Sequence, residues 1–417
     1  MYRVIIVKFK RGYSTTMKRK NKIYLAMFLL SGVALWAEGI DVLSKEKQDF
    51  LFQEQKRYEG EHQKLRYNWI APLNLNASYG YDKSATDIHS DIKTLKASIA
   101  QDIFRSGGIT YAINYADAKK RADEIGLYKD ISALNENLFL SLLNYKKNSY
   151  ELEQSTKRLA NYDIEIFIKR QLYNAGKVDI TELNNALMNK STEQKNYALL
   201  EANRAKYRLE ISKVSDIDPE SYPLYSFELI EEQNYLKNSF DLQYADAQSK
   251  TYKQLYNITK SSYLPSININ GSTGYQSYDA RENAMGYDGN FYNAGLSLNI
   301  PLTYNSSAAK DEAQAIFLKS SAEIQDKERS TRASYAQAIE LIKSYKSYIE
   351  ITSKNLSLYD ELIAAISAGV DMGYKTGYDL QTLKNSKEIE KYNIKINEIN
   401  IELELAKLHF STNRESR

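Results

Sequence analysis

Asn68-Trp69-Ile70-Ala71-Pro72-Leu73-Asn74-Leu75-Asn76-Ala77-Ser78-Tyr79-Gly80-Tyr81 has a second copy in Ser261-Ser262-Tyr263-Leu264-Pro265-Ser266-Ile267-Asn268-Ile269-Asn270-Gly271-Ser272-Thr273-Gly274-Tyr275. In each copy a proline ends a helical stretch, and a run that alternates apolar and polar residues follows. That period of two marks a strand with two unlike faces. Each copy leads to a second strand and then to a long proline-free stretch of helical periodicity. Self-similarity at so large a period sets the architecture before any local detail. The chain reads as two equivalent units, each a strand pair carrying a tall helical hairpin.

The strands are expected at about 72–82 and 93–104 in the first unit, and at about 265–276 and 291–303 in the second. Leu73, Leu75, Ala77 and Tyr79 share one face of the first strand, with Asn74, Asn76 and Ser78 on the other. Ile267 and Ile269 alternate with Asn268 and Asn270, and Leu296, Leu298 and Ile300 form the apolar face of the last strand. Strands of about ten residues with one apolar and one polar face suit a transmembrane β-barrel, apolar toward lipid and polar toward water. Four strands cannot close such a barrel, and an open edge leaves backbone groups unsatisfied in lipid. A membrane reading therefore requires several chains to share one barrel. The alternative for the strands is a pair of amphipathic hairpins packed on a soluble core, and for the whole chain a periplasmic coiled-coil scaffold without a pore.

Between the strands, helices are expected over about 41–68, 109–172, 178–214, 227–262, 305–371 and 378–410. The long ones rise roughly 100 Å at 1.5 Å per residue. In each unit the two shorter helices together approach the length of the long one, so stacking them end to end gives columns of similar height. The first unit spans 38–215, a linker with Pro219 and Pro223 occupies 216–226, and the second unit spans 227–412 with a short tail at 413–417.

Composition narrows the function. The 417 residues contain no cysteine and only three widely spaced histidines, against 35 tyrosines and five prolines. Disulfides, thiol chemistry and Cys-type zinc sites are excluded, and no nucleophile-base constellation or phosphate-cradling loop suggests an enzyme or a cofactor. Mean hydropathy is −0.55. Lys18-Arg19-Lys20-Asn21-Lys22 followed by the apolar run Ile23–Trp36 reads as an export signal over 1–37, with 1–16 a possible unused upstream start at which Met17 takes over. Residues 1–37 hold eight of the 56 basic residues and none of the 53 acidic ones, so the remainder is net acidic and gives no support for nucleic-acid binding.

With these residues in hand, the chain resembles the TolC family of outer-membrane efflux and secretion channels. The resemblance covers nearly the whole chain after the signal. It rests on the duplicated strand-strand-helix units, on Gln101-Asp102-Ile103-Phe104-Arg105-Ser106-Gly107-Gly108 before the long helix, and on Tyr173-Asn174-Ala175-Gly176 with Asp179, Glu182 and Leu183. Tyr374-Lys375-Thr376-Gly377 with Asp379 and Leu383 is taken as the counterpart. The resemblance implies a mainly α protein with a small β part, in which a homotrimer shares a 12-stranded β-barrel and a periplasmic α-barrel. It also implies a Gram-negative outer-membrane location and docking to a periplasmic adaptor (membrane fusion) protein and an inner-membrane pump. The turns at Gly176 and Gly377 would form the periplasmic gate. Glu182 matches an acidic gate position of the family, the matching positions of the second unit hold Thr382 and Asn385 when one residue is taken as deleted after Gly377, and Asp371 and Asp379 lie near enough to substitute.

Overall fold

The computed structural model describes residues 40–83, 89–223, 225–280 and 286–413. The expected export signal over 1–37 and residues 414–417 of the tail lie outside them. The chain runs α1 (Lys45–Tyr67), β1 (Asn74–Lys83), β2 (His89–Phe104), α2 (Gly108–Asn174), α3 (Ile180–Ser212), α4 (Glu232–Asn238), α5 (Phe240–Ser262), β3 (Ser266–Ala280), β4 (Tyr287–Asn299), α6 (Ser306–Asp371) and α7 (Gly377–Phe410). The protein is mainly α with a small antiparallel sheet, as the sequence leads one to expect.

The four strands form one sheet in the order β1-β2-β3-β4, every neighbour antiparallel. β2 and β3 come from different units and pair along nearly their whole length, so the sheet itself joins the repeats. The strands run further toward the hairpin loops than the apolar alternation indicates: β2 begins at His89, β3 reaches Ala280 and β4 begins at Tyr287. At its other end β4 stops at Asn299, so Ile300, expected within the strand, follows it. Pro301, which lacks a backbone N–H, comes two residues after the strand end. Leu73 likewise precedes the first paired residue, Asn74.

The helices make a wall one helix thick. α2 lies between α1 and α3 on one side and α5 and α7 on the other, while α6 lies against α4, α5 and α7. The difference shows in burial: α2 buries 17 residues, including Leu138, Leu142 and Leu143, whereas α6, of almost equal length, buries four. A helix with neighbours on both sides buries two stripes; one at the edge of a wall buries one.

The shorter helices do stack. The Ser44 amide donates to the Val214 carbonyl at 2.8 Å, and the Ser215 hydroxyl donates to the Val42 carbonyl, joining the start of α1 to the end of α3. In the second unit the Phe240 amide donates to Ser411 at 3.1 Å and the Asn413 amide to Asn238 at 2.7 Å. This junction corrects the expected continuous helix over 227–262. The helix starts only at Glu232 and breaks at Ser239, which forms a bridge with Thr412. Neither proline nor glycine causes the break; the incoming end of α7 takes the backbone groups that a continuous helix would have used.

Around the first of these junctions sits the largest apolar core. Ile40, Leu43, Leu51, Leu127, Ile131, Leu138, Leu142 and Ile211 cluster there, with Tyr207 and Tyr222 at the margin. Next to it Phe139 meets the rings of Tyr222, Tyr225, Phe227 and Phe410 at centroid separations of 5.3–6.4 Å. The linker thus wraps the waist of the wall. Elsewhere contacts between helices rely on small and polar side chains: Ser249 with Ser320 at 3.2 Å, and Gln154 with the Ile389 carbonyl at 2.9 Å. No helix among the described residues is long and apolar enough to cross a membrane.

Candidate functional site

The sheet separates two chemistries by register. Residues opposite one another in an antiparallel ladder lie on the same face. Leu75 stands opposite Ala97, Ala77 opposite Leu95 and Tyr79 opposite Lys93; Leu95 continues to Tyr275 and Ala97 to Thr273; Ile269 faces Leu296 and Ile267 faces Leu298. The half of that face nearer the helices is mainly apolar, and the hairpin end carries Tyr79, Tyr81, Tyr275 and Tyr292 together with the charged Asp91, Lys93, Asp279 and Asp288. The opposite face carries Asn74, Asn76 and Ser78 against Ser98, Lys96 and Thr94, then Asn268 and Asn270 against Ser297 and Gly295. On that face the Asn268 side chain donates to Asp102 at 2.8 Å, Ser297 donates to Asn268 at 2.9 Å and Asn270 donates to Ser297 at 3.1 Å.

Neither face is covered by other described residues. Leu75 is 76% exposed and Leu296 71%. Isolated apolar residues on a surface need no explanation, but a continuous apolar sheet face does. Among the described residues β1 and β4 also have no partner strand on their outer edges.

The second region is the far end of the helices, where two turns close the hairpins. In the first unit Gly176 adopts φ +69°, its amide donating to Tyr173 at 2.9 Å and that of Lys177 to Leu172 at 2.9 Å. A residue in the left-handed region just past the helix end is the usual helix stop, and glycine takes it without a Cβ clash. Asp179 then caps α3, accepting from the Thr181 amide at 2.9 Å. Those hydrogen bonds hold the Asp179 carboxyl below the usual carboxylate range. Glu182 pairs with Lys169 of α2.

In the second unit the left-handed residue is Gly373, at φ +79°, and not Gly377, which is the first residue of α7. Thr376 caps α7 in a capping box: its hydroxyl accepts from the Asp379 amide, and its own amide donates to Asp379 at 3.0 Å. These contacts hold the Asp379 carboxyl below its ordinary value.

Gly176 therefore corresponds to Gly373, Asp179 to Thr376 and Glu182 to Asp379, with no deletion between the units. Two ion pairs confirm the register, because Lys190–Asp163 and Lys387–Asp360 occupy the same places in the two hairpins. The counterpart of Glu182 is thus the acidic Asp379, one turn before Thr382 and two before Asn385. Asn385 is buried, donating to Asn161 of α2 at 2.8 Å and accepting from Gln381 at 3.0 Å. It is a bond between helices. Thr382 is half-buried at a cleft of about 620 Å³ that Arg158, Lys169, Ile366, Lys375 and Asp379 also line. Asp371, the last residue of α6, is exposed beside the turn.

Residues 232–388 match the model of the outer membrane efflux protein family. The fold is shared with the outer membrane protein VceC of Vibrio cholerae, at 14% identity and a TM-score of 0.70 over 88% of this chain and 93% of that one. It is shared too with the Campylobacter jejuni CmeC outer membrane channel, at 12% identity and 0.69 over 99% and 92%. The open-state Neisseria gonorrhoeae MtrE outer membrane channel superposes at 15% identity and 0.65 over 87% and 85%. No curated protein sequence matches the chain significantly. The family model thus covers part of the second unit, and the solved channels share the fold of nearly the whole chain.

Proposed function

We propose that this chain is a TolC-family outer-membrane efflux channel whose helices reach into the periplasm, and that it works as a homotrimeric duct in a tripartite assembly. An inner-membrane pump would supply the energy, and a periplasmic adaptor would join pump and duct. Efflux of small molecules or ions and type I secretion of polypeptides both fit such a duct. The observation that carries the reading is the single sheet with one apolar face, one polar face and two unpaired edges. An edge in hydrocarbon leaves its N–H and C=O groups without partners. Three copies supply twelve strands, enough for a closed barrel, with the apolar face toward lipid and the polar face lining the bore. The exposed apolar residues of the wall's two edge columns, such as Leu199 and Leu209 on α3 and Leu358 and Leu362 on α6, then meet between copies.

At the far end the turns at Gly176 and Gly373 form the periplasmic mouth, with Asp179, Glu182, Asp371 and Asp379 around it. Replacing Glu182 by Gln together with Asp371 and Asp379 by Asn is expected to lower cation preference in planar bilayers, since an acidic ring attracts cations. An unchanged preference removes these residues from the gate. The duct itself is tested by extraction: the protein should resist salt and urea washes, require detergent, and run as an oligomer. A non-pore coiled-coil scaffold would be released by the washes.

A further inference from the structure

The polar face of the sheet is nearly free of charge. Between Asn74 and Tyr81, and on the strand segments paired with them, its side chains are Asn, Ser, Thr, Gln, Gly, Ile, Phe and Tyr, with one exception, Lys96. Register places Lys96 opposite Asn76 on one side and Gly274 on the other. The next formal charges on this face lie at its two ends. Asp102 stands six residues away toward the helices, bridged to Arg105 at 3.0 Å and bonded by Asn268. Asp82, paired across from Ser90, stands equally far toward the hairpin loops. Six residues of strand span about 20 Å, roughly twice the Debye length of about 10 Å at 0.1 M salt. Lys96 forms no ion pair among the described residues. Its ammonium therefore acts on the space in front of this face without a local counter-charge.

We infer that Lys96 is a selectivity-determining residue of the bore, one cation per chain set midway along a wall of amides and hydroxyls, and that it favours passage of anionic over cationic solutes. The inference rests on the reading that the polar face lines a shared bore. A neutral wall discriminates little between ions, whereas a fixed charge in a confined aqueous path raises the local concentration of counter-ions. With several copies of Lys96 around one axis, each acts on the permeating ion at about 10 Å through water. The Coulomb energy at that range alters relative permeability roughly two- to fivefold. The acidic mouth at the helical end is a separate element in series, so the effect of Lys96 is read as a change against wild type.

The experiment uses the full-length protein, purified in detergent and inserted in planar bilayers under a KCl gradient. The chloride-to-potassium permeability ratio is taken from the reversal potential. Lys96→Gln should lower the ratio roughly two- to fivefold, and Lys96→Glu should lower it further. Lys93→Gln removes a charge three residues away on the opposite face, across from Tyr79, and should leave the ratio unchanged. Gel mobility of the unheated oligomer checks assembly of each variant, and Lys96→Gln keeps the test valid where the glutamate fails to assemble. Conducting, assembled Lys96 variants with the wild-type ratio overturn the inference and leave the duct standing. A change from Lys93→Gln with none from Lys96→Gln reverses the facing of the sheet and overturns the inference as well. Wild-type protein that inserts no conducting oligomer defeats the duct reading itself.

Discussion

β1 and β3 carry the same alternation, yet β1 ends the sheet and β3 lies inside it. The turns at the other end repeat this lesson. Glu182 and Asp379 occupy the same place after the helix start, but Glu182 reaches across to Lys169 while Asp379 closes the cap of its own helix. The position equivalent to Lys169 in the second unit is Ile366, which offers no charge. Duplication thus fixes local conformation, and neighbours decide what each copy does with it.

The strand comparison is broken most forcefully by a cation on the apolar face. Leu75→Arg in the edge strand and Ile269→Arg in the inner strand should each cost about 2–4 kcal/mol at mid-membrane, lowering the oligomer recovered from the outer-membrane fraction. Asn76→Arg and Asn270→Arg should assemble. Damage from Ile269→Arg alone would mean that strand pairing, not lipid, sets the penalty. Equal damage on both faces would refute the facing assignment.

The hairpins come next. Asn385→Leu leaves the side-chain carbonyl of half-buried Asn161 without its donor, while the Asn161 amide keeps Thr382 and Ser386, at about 1–3 kcal/mol. The double variant with Asn161→Leu should recover most of that loss in thermal unfolding. A change in conductance without a change in stability would instead return Asn385 to the gate.

Smaller again is the cap. Thr376→Ala should destabilise the start of α7 by about 1 kcal/mol, read as faster amide exchange over its first turn. The box is also pH-dependent. Because the Asp379 carboxyl is held below its ordinary value, its contribution is complete above the usual carboxylate range and is lost as pH falls through the lowered value. Protection of the α7 start relative to the intrinsic exchange rate should fall on acidification in wild type and not in Asp379→Asn. The first-unit ion pair is the weakest contributor. Lys169→Met should change stability by less than about 1 kcal/mol, since the pair is partly exposed and screened by water.

Much of this was legible in the sequence because it is local. Period-two alternation at Leu73–Tyr81 and at Ile267–Tyr275 marks strands with two faces, and the long proline-free stretches mark helices. Three features escaped for physical reasons. The strand ends around Ser90, Asp91, Tyr278 and Tyr287 do not alternate in polarity, so only the ladder reveals them. The break at Ser239 arises from the backbone of α7, which is distant in sequence. Tyr-x-x-Gly occurs at both 173–176 and 374–377, so the sequence pattern points to Gly377 as the counterpart of Gly176. The equal spacing of Asp163 to Lys190 and Asp360 to Lys387, present in the sequence, carries the true register. Asn385 looked like a site residue for the same reason, since a face of a helix is assigned only after its register is known.

Strand count per closed barrel is the most direct test of the central claim, and native mass spectrometry of the detergent-extracted protein measures it. Three chains per particle, giving twelve strands, is the predicted result. A single chain that stays dispersed without detergent, with Leu75 and Leu296 protected from solvent, would contradict it.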